Sequence, residues 1–329
     1  MIIMNRNTSP IKPLTDRDIL EVARSTDFNQ YPDRERDRFI SLYADHYGLD
    51  SASIELANGS DEWIQKLVVT LGQRGVMTLD PDFVMYQVYT EQFYPEILKV
   101  PADPDFNFSF EKILEAVYEA KPSLFLISNP HNPTGTMFDP VDLQRLADAM
   151  ADLSGYLCID ECYIDFAPDY DRPQGDNVLF LRTLSKLYGM AGLRIGLAIA
   201  KGDTYRKITR INHPYPLNSL SLNLASHFFA DQAKLAAFRD YQLSSKAELV
   251  RALDQVADLV KPKPSFANYV FTYGPAARSL ADFVINKGFL PRTYDSPGLE
   301  EMARYSVIKL EDYPAFKEAV AEWRQTYVD

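Results

Sequence analysis

The stretch Arg182-Thr183-Leu184-Ser185-Lys186, followed by Arg194 within Gly192-Leu193-Arg194-Ile195-Gly196, decides the fold. It lies between two apolar runs, so its polar side chains are placed at the loops of a buried sheet. Two hydroxyl groups and two cations stand beside a single lysine. The hydroxyls and Arg194 can bind a phosphate dianion while the amine of Lys186 stays free to attack a carbonyl carbon. The stretch therefore predicts a Schiff-base lysine beside a phosphate site, against the alternative of an ordinary surface lysine on a loop.

Composition sets the outer limits of the interpretation. The 329 residues suffice for one large domain and a smaller one, and the 46% apolar content is that of a globular protein with a sizeable core. The net charge of −12, without any block of Lys or Arg, leaves no electrostatic footprint for nucleic acid. Cys158 and Cys162 are expected to be buried thiols in a reducing compartment, and no metal site is predicted. There is no signal-peptide pattern and no apolar run of about 18 residues, so we expect a soluble cytoplasmic protein without membrane contact.

Short apolar runs alternate with longer amphipathic stretches between about residues 54 and 200. This alternation is typical of an α/β domain with a mostly parallel sheet covered by helices on both faces. The run Leu124-Phe125-Leu126-Ile127 is apolar throughout, as a strand buried on both faces should be. The pattern predicts strands at 75–79, 96–100, 123–128, 156–159, 178–181 and 193–200. It predicts helices at 60–71, 109–120 and 140–153.

The last third of the chain has a different organisation. A helical pattern continues over 217–259 with a break near Gln232, and Pro262 and Pro264 then interrupt it. Strands at 268–272 and 304–308 and helices at 276–287 and 313–327 follow, which is the composition of a small α/β domain. We therefore predict three segments: an N-terminal arm (1–30, with a helical pattern over 16–24), a large domain (31–230) and a small C-terminal domain (231–329).

Other polar motifs lie where predicted strands end or helices begin, which is where open α/β sheets bind ligands. Asn58-Gly59-Ser60-Asp61-Glu62 precedes a helix whose first amides form an anion site, with Ser60 as a candidate N-cap. Asn129-Pro130-His131-Asn132-Pro133-Thr134-Gly135 follows a buried strand and directs Asn132 above the sheet. Taken singly, the first motif is also compatible with a plain helix cap, and the second is also compatible with a purely structural turn.

Two further residues complete the candidate set. Asp160 ends the strand Tyr156-Leu157-Cys158-Ile159, and a buried carboxylate there is costly unless a cation, such as a protonated pyridine nitrogen, pairs with it. The alternative is an aspartate that caps a loop. Tyr86, in Pro81-Asp82-Phe83-Val84-Met85-Tyr86, is a candidate to stack on a flat ring, although a core tyrosine is as compatible with this segment.

Taken in this order, the motifs resemble the pyridoxal-phosphate (PLP) aminotransferases of fold type I, specifically the histidinol-phosphate aminotransferase group. The resemblance extends from about Tyr31 to Val307. It implies PLP as the cofactor and an aspartate-aminotransferase-like large domain. Each motif alone is weak, and the order of the whole set makes the resemblance specific. The matching stretches are Tyr31-Pro32-Asp33, Asn58-Gly59-Ser60-Asp61-Glu62, Pro81-x-Phe83-x-Met85-Tyr86, Asn129 to Gly135, Asp160-Glu161-Cys162-Tyr163-Ile164-Asp165-Phe166, Arg182 to Lys186, Ala191-Gly192-Leu193-Arg194-Ile195-Gly196 and Pro264-Ser265-x-Ala267-Asn268.

The resemblance assigns a role to each matching cofactor residue. It implies that Lys186 binds PLP as a Schiff base and moves the proton between the substrate Cα and the cofactor C4′. It implies that Asp160 pairs with the pyridinium nitrogen and keeps the ring an electron sink. Tyr163 and Asn132 would hydrogen-bond the phenolic oxygen of the ring, and Tyr86 would stack on the ring. The phosphate would be bound by the backbone amides of Ser60 and Asp61 and by Thr183, Ser185 and Arg194.

The substrate side is less completely matched. The resemblance implies that Arg304 takes a carboxylate or a corresponding anionic group and that Arg292 helps to bind a phosphate-bearing substrate. Tyr31 would reach the cofactor phosphate of a neighbouring subunit, which implies a homodimer with shared sites. The sequence departs from the family pattern at Cys162, where a small residue is usual, and after Val307, where Ile308-Lys309 replaces a glycine. The segment Asn5-Arg6-Asn7 is similar to an Asn-x-Asn segment of the family.

Three functions are compatible with these residues. The leading hypothesis is an aminotransferase that works by two half-reactions, with histidinol phosphate and 2-oxoglutarate as the favoured pair and an aromatic or broad-range aminotransferase next. A PLP decarboxylase such as threonine-phosphate decarboxylase has the same motifs. It differs in the fate of the cofactor, because a decarboxylase returns PLP whereas a transaminase leaves pyridoxamine phosphate. A non-catalytic binding protein on the same fold is the third hypothesis, and the complete cofactor set argues against it.

Overall fold

The computed structural model describes residues 1–296 and 298–328. Its strands are β1 (Ile2–Met4), β2 (Ile54–Asn58), β3 (Val76–Asp80), β4 (Leu98–Pro101), β5 (Leu124–Ser128), β6 (Tyr156–Asp160), β7 (Val178–Thr183), β8 (Ile195–Ile199), β9 (Tyr269–Tyr273), β10 (Phe289–Thr293) and β11 (Met302–Ser306). Its helices are α1 (Asp16–Ser25), α2 (Asp33–Tyr47), α3 (Ser60–Leu71), α4 (Val84–Thr90), α5 (Phe110–Ala120), α6 (Pro140–Asp152), α7 (Gly202–Thr209), α8 (Ser219–Ala230), α9 (Gln232–Asp254), α10 (Ala257–Val260), α11 (Ala277–Asn286) and α12 (Tyr313–Val328).

A seven-stranded sheet forms the centre of the structure, with strand order β2-β8-β7-β6-β5-β3-β4. The neighbours from β7 to β4 are parallel, and β8 is antiparallel to both β2 and β7. The predicted α/β class with a mostly parallel sheet is therefore confirmed. The carboxyl ends of β5, β6 and β7 lie side by side, so the loops that follow them meet at one edge of the sheet.

The sheet is buried on both faces, and the side chains of β5 show why an unbroken apolar run was needed. Leu124 and Leu126 pack with Trp63 of α3 on one face. Phe125 and Ile127 pack on the other face with apolar residues of α5 and α6. Because successive side chains of a strand point to opposite faces, both sets have to be apolar when helices cover both sides.

A second sheet of four strands lies in the C-terminal part, with order β1-β10-β11-β9. Its first strand comes from the opposite end of the chain: Ile2–Met4 runs parallel to β10. The other neighbours are antiparallel, and α9, α11 and α12 pack on this sheet through apolar residues such as Leu249, Leu280 and Phe316. Sequence reasoning missed both β1 and β10, and the division of the chain at residue 231 stays a prediction.

The helices between the two sheets follow from the sequence pattern. The predicted break near Gln232 lies between α8 and α9, where the Asp231 side chain accepts a hydrogen bond from the amide of Lys234 at 3.0 Å. Helix α8 packs on α2 through aromatic residues that include Phe39 and Phe229, whose ring centroids are 5.9 Å apart. In the described part of the chain, no helix combines the length and apolar character needed to cross a bilayer.

Candidate functional site

A cavity of about 1150 Å³ lies where the two sheets face each other. Loops that follow strands of the large sheet contribute Lys186, Tyr163 and Asn132 to its wall, and the small sheet contributes Arg292 and Arg304. The sequence placed these five residues far apart along the chain. The structure brings them into one cavity.

Lys186 stands on a turn directly after β7, half-buried at the cavity wall. Its Nζ lies 5.4 Å from the ring centroid of Tyr163. The turn is closed by hydrogen bonds from the amide of Ser185 to the Thr183 Oγ1 at 3.1 Å and from the amide of Gly189 to the Lys186 carbonyl at 3.2 Å. The primary amine of Lys186 is thereby held at the carboxyl end of β7 on a short, hydrogen-bonded loop.

Asp160 is the last residue of β6 and is buried. Its carboxylate accepts hydrogen bonds from the Tyr86 hydroxyl at 2.8 Å and from the amide of Cys162 at 3.0 Å. Burial raises the pKa of Asp160, and the hydrogen bonds and the charge of Lys186 oppose that rise. Among the described residues no cation forms an ion pair with this carboxylate. A cationic ring nitrogen placed against it would supply the compensation that a buried carboxylate needs.

Tyr86 has the position of a core tyrosine, which is one of the two interpretations that its sequence segment allowed. Its side chain is 1% exposed, and its hydroxyl donates to Asp160. Phe83, directly before α4, lines the cavity, and its ring meets that of Tyr86 edge-on with centroids 5.5 Å apart. Phe83 is therefore the ring of this segment at the cavity wall, and stacking of Tyr86 on a flat ligand stays a prediction.

Asn132 and Tyr163 face the cavity from adjacent loops, and each is held by a residue outside its own loop. The Asn132 Oδ1 accepts a hydrogen bond from the Arg304 Nη1 at 2.6 Å, which leaves the Asn132 amide group as a donor. The Tyr163 hydroxyl accepts from the Asn7 Nδ2 at 2.9 Å and so keeps its own proton free to donate. Both side chains can therefore donate to an oxygen between them.

Asn7 is a site residue whose role the sequence reasoning missed. It is 2% exposed and has a positive φ of 54°, a conformation that asparagine tolerates better than most residues. Its amide donates to the Ser306 Oγ at 3.0 Å, and its carbonyl accepts from the Asn268 Nδ2 at 3.0 Å. The N-terminal segment is thus tied into the cavity wall. The signal was the Asn5-Arg6-Asn7 similarity, which spacing alone could not connect to Tyr163.

The start of α3 forms the second part of the site. Gly59 occupies the N-cap position with φ of 83°, and Ser60, which we expected to be the cap, is the first helical residue. Gly196 of β8 lies so close that a Cβ on it would meet the Ser60 amide nitrogen at 2.4 Å. The Arg194 Nη2 pairs with the Asp61 Oδ2 at 2.8 Å across this helix start. Backbone amides, the helix dipole and a guanidinium therefore converge there, which suits an anion.

The other predicted phosphate residues lie next to the reactive groups of the site. The Thr183 Oγ1 donates to the Ser185 Oγ at 2.9 Å, directly before Lys186. The Cys162 Sγ, two residues after Asp160, lies 3.6 Å from the Ser60 Oγ, and burial raises the pKa of Cys162 well above its usual range. Thr183 and Ser185 are therefore close to Lys186, and Ser60 is close to the end of β6.

Arg292 and Arg304 stand directly opposite each other on the antiparallel strands β10 and β11. Arg304 lies 5.0 Å over the Tyr269 ring, and its Nε is buried without a hydrogen-bond partner among the described residues. Arg292 is exposed at the cavity, 5.6 Å from the Tyr294 ring. Like charges in directly opposed positions repel, so this pair is poised for an anionic ligand.

Tyr31 is the one predicted site residue that lies on the outer surface. It is 73% exposed, and its ring stacks on that of Tyr215 with centroids 4.5 Å apart. A tyrosine in this place cannot be a ligand of its own chain's cavity, and the expected contact with a neighbouring subunit stays a prediction.

A family model described as aminotransferase class I and II matches residues 7–325. The chain is 31% identical to histidinol-phosphate aminotransferase of Clostridium novyi over 287 residues, which cover 85% of this chain and 79% of the relative. It is 30% identical to that of Caldanaerobacter subterraneus over 314 residues, which cover 92% of this chain and 88% of the relative.

Among solved structures, the fold is similar to that of histidinol-phosphate aminotransferase from Sinorhizobium meliloti in complex with pyridoxal-5′-phosphate. The TM-score is 0.85 at 23% identity, with 99% of this chain and 91% of that chain covered. At this level of identity the likeness shows the shared fold.

Proposed function

We propose that this chain, which belongs to the histidinol-phosphate aminotransferase group of aminotransferase class I and II, transfers the amino group of histidinol phosphate to 2-oxoglutarate. Membership of the family is shown by the match over residues 7–325, and it confirms the predicted enzyme class, a PLP-dependent aminotransferase. The substrate pair, the roles of the individual residues, the homodimer and a cytoplasmic location are the parts that we propose.

The arginine pair is the observation that carries the choice of substrate. Arg292 and Arg304 are opposed across β10 and β11, and the buried Nε of Arg304 has no hydrogen-bond partner within residues 1–296 and 298–328. A phosphate dianion offers charge and oxygens enough for two guanidinium groups, whereas an aromatic side chain offers neither. The same two arginines can also take the carboxylates of 2-oxoglutarate, as is required of one site that binds donor and acceptor in turn. The curated relatives carry the same substrate in their names.

The residues present fit the cofactor, and the test is the start of α3. Gly196 lets β8 contact the backbone of Gly59 and Ser60, and a Cβ on Gly59 would collide with the Arg194 guanidinium, so the glycines bring Arg194 and the first amides of α3 together. We propose that the phosphate of PLP is bound there, with help from Thr183 and Ser185. When bound, PLP supplies the electron sink that stabilises negative charge at the substrate Cα.

The ring would lie between Phe83 and the end of β6. The carboxylate of Asp160, held by Tyr86 and the amide of Cys162, would pair with the ring nitrogen and keep that nitrogen protonated. Tyr163 and Asn132 would donate to the phenolic oxygen from the two loops described above. Arg304 holds Asn132 through its Nη1, so the group that takes the substrate anion also orients a cofactor contact.

Lys186 is the residue that we propose moves the proton. Its Nζ is positioned at the cavity wall next to the Tyr163 ring. An amine in this place would form the covalent link to PLP in the resting enzyme. When a substrate amine takes over that link, the freed Nζ would be placed to move a proton between the substrate Cα and the cofactor C4′.

The first experiment is a visible absorption titration of the purified protein with single amines. Histidinol phosphate, histidinol, threonine phosphate, phenylalanine, tyrosine and glutamate are compared over the same series of concentrations. Histidinol, which lacks only the phosphate, is the matched control. We expect histidinol phosphate to convert the lysine-linked cofactor band to that of pyridoxamine phosphate at the lowest concentration.

Two variants sharpen this test. Arg292→Ala should lower kcat/KM for histidinol phosphate by about 10-fold to 100-fold, because a charge-assisted hydrogen bond is lost. Arg206→Ala, which removes an exposed arginine paired with Asp203 on the surface of α7, is the control. Equal responses to histidinol and histidinol phosphate would contradict the proposed substrate. Return of unchanged PLP after turnover would instead indicate a decarboxylase.

A further inference from the structure

A buried carboxyl group stands behind the cavity wall without a role in the reaction described above. Asp82 follows β3, and its side chain is 1% exposed. It lies beside the cavity at the same edge of the sheet as Asn132. The His131 Nε2 lies 3.8 Å from the Asp82 Oδ2.

The hydrogen bonds of Asp82 join two of these segments. Its Oδ1 accepts from the amide of Phe83 at 2.7 Å and from the hydroxyl of Ser128. Its Oδ2 accepts from the amide of Ser128 at 3.3 Å. The carboxyl group therefore holds the residue before α4 and the last residue of β5 at a fixed separation.

Ser128 also connects Asp82 to the loop that follows β5. The hydroxyl that donates to Asp82 also accepts a hydrogen bond from the backbone amide of Asn132 at 2.8 Å. His131, next to Asn132, is fixed on the same side because its Nε2 donates to the Pro81 carbonyl at 3.0 Å. The backbone of Asn132 is thus anchored from below by a chain of two hydrogen bonds that starts at Asp82.

We propose that Asp82 is a positioning residue, which holds Asn132 against the cofactor ring through the hydroxyl of Ser128. This inference rests on the proposed function of the site. With its backbone anchored by Ser128 and its Oδ1 on Arg304, Asn132 directs its amide group to one place. A donor fixed at the phenolic oxygen stabilises the anionic ring and lowers the basicity of the lysine-linked nitrogen. A loosened Asn132 loses that effect.

The test is the pH at which the absorption band of the lysine-bound cofactor changes, measured on the holoenzyme without substrate. Asp82→Ala should raise this apparent pKa by about one unit, a tenfold change in basicity, because Asn132 is no longer held. Ser128→Ala should raise it equally. The double variant should add little, since both changes break the same chain.

A conservative replacement of Asp82 distinguishes a positioning role from a general effect on the folded structure. Burial raises the pKa of Asp82 well above its usual range, so the neutral amide of Asp82→Asn is a close match. Its oxygen, in the place of Oδ1, can accept from the Phe83 amide and the Ser128 hydroxyl, whereas the 3.3 Å bond from the Ser128 amide to Oδ2 is lost. We expect this variant to restore most of the wild-type value, because the bond to the Ser128 hydroxyl is the one that leads to Asn132. Asp231→Asn, which changes an exposed helix-capping carboxylate, is the control and should leave the band unchanged.

The outcomes are distinct from those that test the proposed function. A wild-type protein that shows the transition but does not transaminate histidinol phosphate refutes the substrate and leaves this inference standing. If folded Asp82→Ala and Ser128→Ala holoenzymes both keep the wild-type transition, Asp82 has no positioning role. A wild-type protein that forms no lysine-bound cofactor band with PLP overturns both proposals.

Discussion

At the scale of the residue, the chemistry depends on how each titratable group is surrounded. Asp160 has two hydrogen-bond donors and no paired cation among the described residues, whereas Glu161, the next residue, is bound by Arg172 and Arg182. The pKa of Glu161 is lowered because the two arginines outweigh the effect of burial. Adjacent carboxylates thus have separate tasks: Glu161 closes a structural ion-pair network, and Asp160 remains available to a ligand.

Replacement of Lys186 tests the enzymatic hypothesis directly. Lys186→Ala should lower turnover by at least about 10²-fold to 10⁴-fold, because the residue that moves the proton is removed. The measurement is the steady-state rate with PLP in excess. Lys201→Ala, on the exposed lysine that precedes α7, is the control. Turnover unchanged in Lys186→Ala would refute the role that we assign to this residue.

The buried imidazole of His131 makes a prediction about stability against pH. Burial lowers the pKa of His131 to about 3, whereas an unfolded histidine titrates near 6.5. Between these values the unfolded chain binds a proton that the folded chain does not, so stability falls as the pH falls through this window. The contribution reaches about 1.4 kcal/mol per pH unit.

Urea unfolding at pH 7, 6 and 5 measures this contribution. His131→Asn should show a shallower loss of stability than wild type over this range, whatever its stability at pH 7. His213→Asn, which removes an exposed histidine, should keep the wild-type slope. Parallel curves for wild type and His131→Asn would contradict the prediction.

Some predicted site residues line the cavity because the end of a strand fixes their position. Lys186, Tyr163 and Asn132 each follow a strand of the parallel sheet within a few residues, so topology alone brings them together. The positions of Phe83 and Tyr86 are not fixed in this way. They lie three residues apart at the start of a helix, and the side chain of Phe83 faces the cavity whereas that of Tyr86 faces the core. The exact start of α4 decides which ring faces the ligand, and the sequence pattern does not fix a helix start to one residue.

At the scale of the element, the close contact of β8 with α3 shapes the anion site. A Cβ at Gly196 would meet the Gly59 carbonyl carbon at 2.2 Å and the Ser60 nitrogen at 2.4 Å, and both are backbone atoms that cannot turn aside. Gly196→Ala therefore has to displace the start of α3. We expect a loss of about 1–3 kcal/mol in the free energy of unfolding and a weaker affinity for PLP.

Gly192→Ala is the matched control for this prediction. It lies in the same loop region, and its added Cβ would meet no described atom within 4 Å. Urea unfolding gives the stability of the apoproteins, and titration with PLP gives the affinity. A Gly196→Ala protein with wild-type stability and affinity would show that the contact between β8 and α3 does not limit the site.

Strands and helices were predictable from the sequence where burial requires a regular pattern of apolar residues. The buried strands β5, β6 and β7 and helices α3, α5 and α6 appear within a few residues of their predicted bounds. β1 and β10 were missed because they are short and irregular in sequence. Three residues suffice for β1, and Pro291 interrupts the pattern of β10. Their pairing depends on contacts between the two ends of the chain, which no local pattern carries.

At the scale of the whole molecule, the two sheets contribute different residues to the site. Loops of the large sheet hold the proposed cofactor, and the small sheet presents the two arginines. The N-terminal segment closes the arrangement, because Asn7 contacts Tyr163 on one side and Ser306 on the other. The chain carries a net charge of −12, and the cavity wall includes carboxylates such as Asp103 and Glu301 as well as cations. The attraction for an anionic substrate is therefore local to Lys186, Arg292 and Arg304.

The exposed tyrosine pair leads to a prediction about assembly. Tyr31 and Tyr215 stack on the outer surface, and we propose that in a homodimer Tyr31 reaches the cofactor phosphate of the other subunit. Tyr31→Ala and Lys186→Ala should then each be weakly active alone. Mixed after dissociation, they should recover activity, because one site of each hybrid dimer combines an intact Tyr31 with an intact Lys186. Analytical ultracentrifugation should give twice the 37.5 kDa chain mass, and differently tagged chains confirm that hybrids form. Hybrids without recovered activity would show that Tyr31 does not act across subunits.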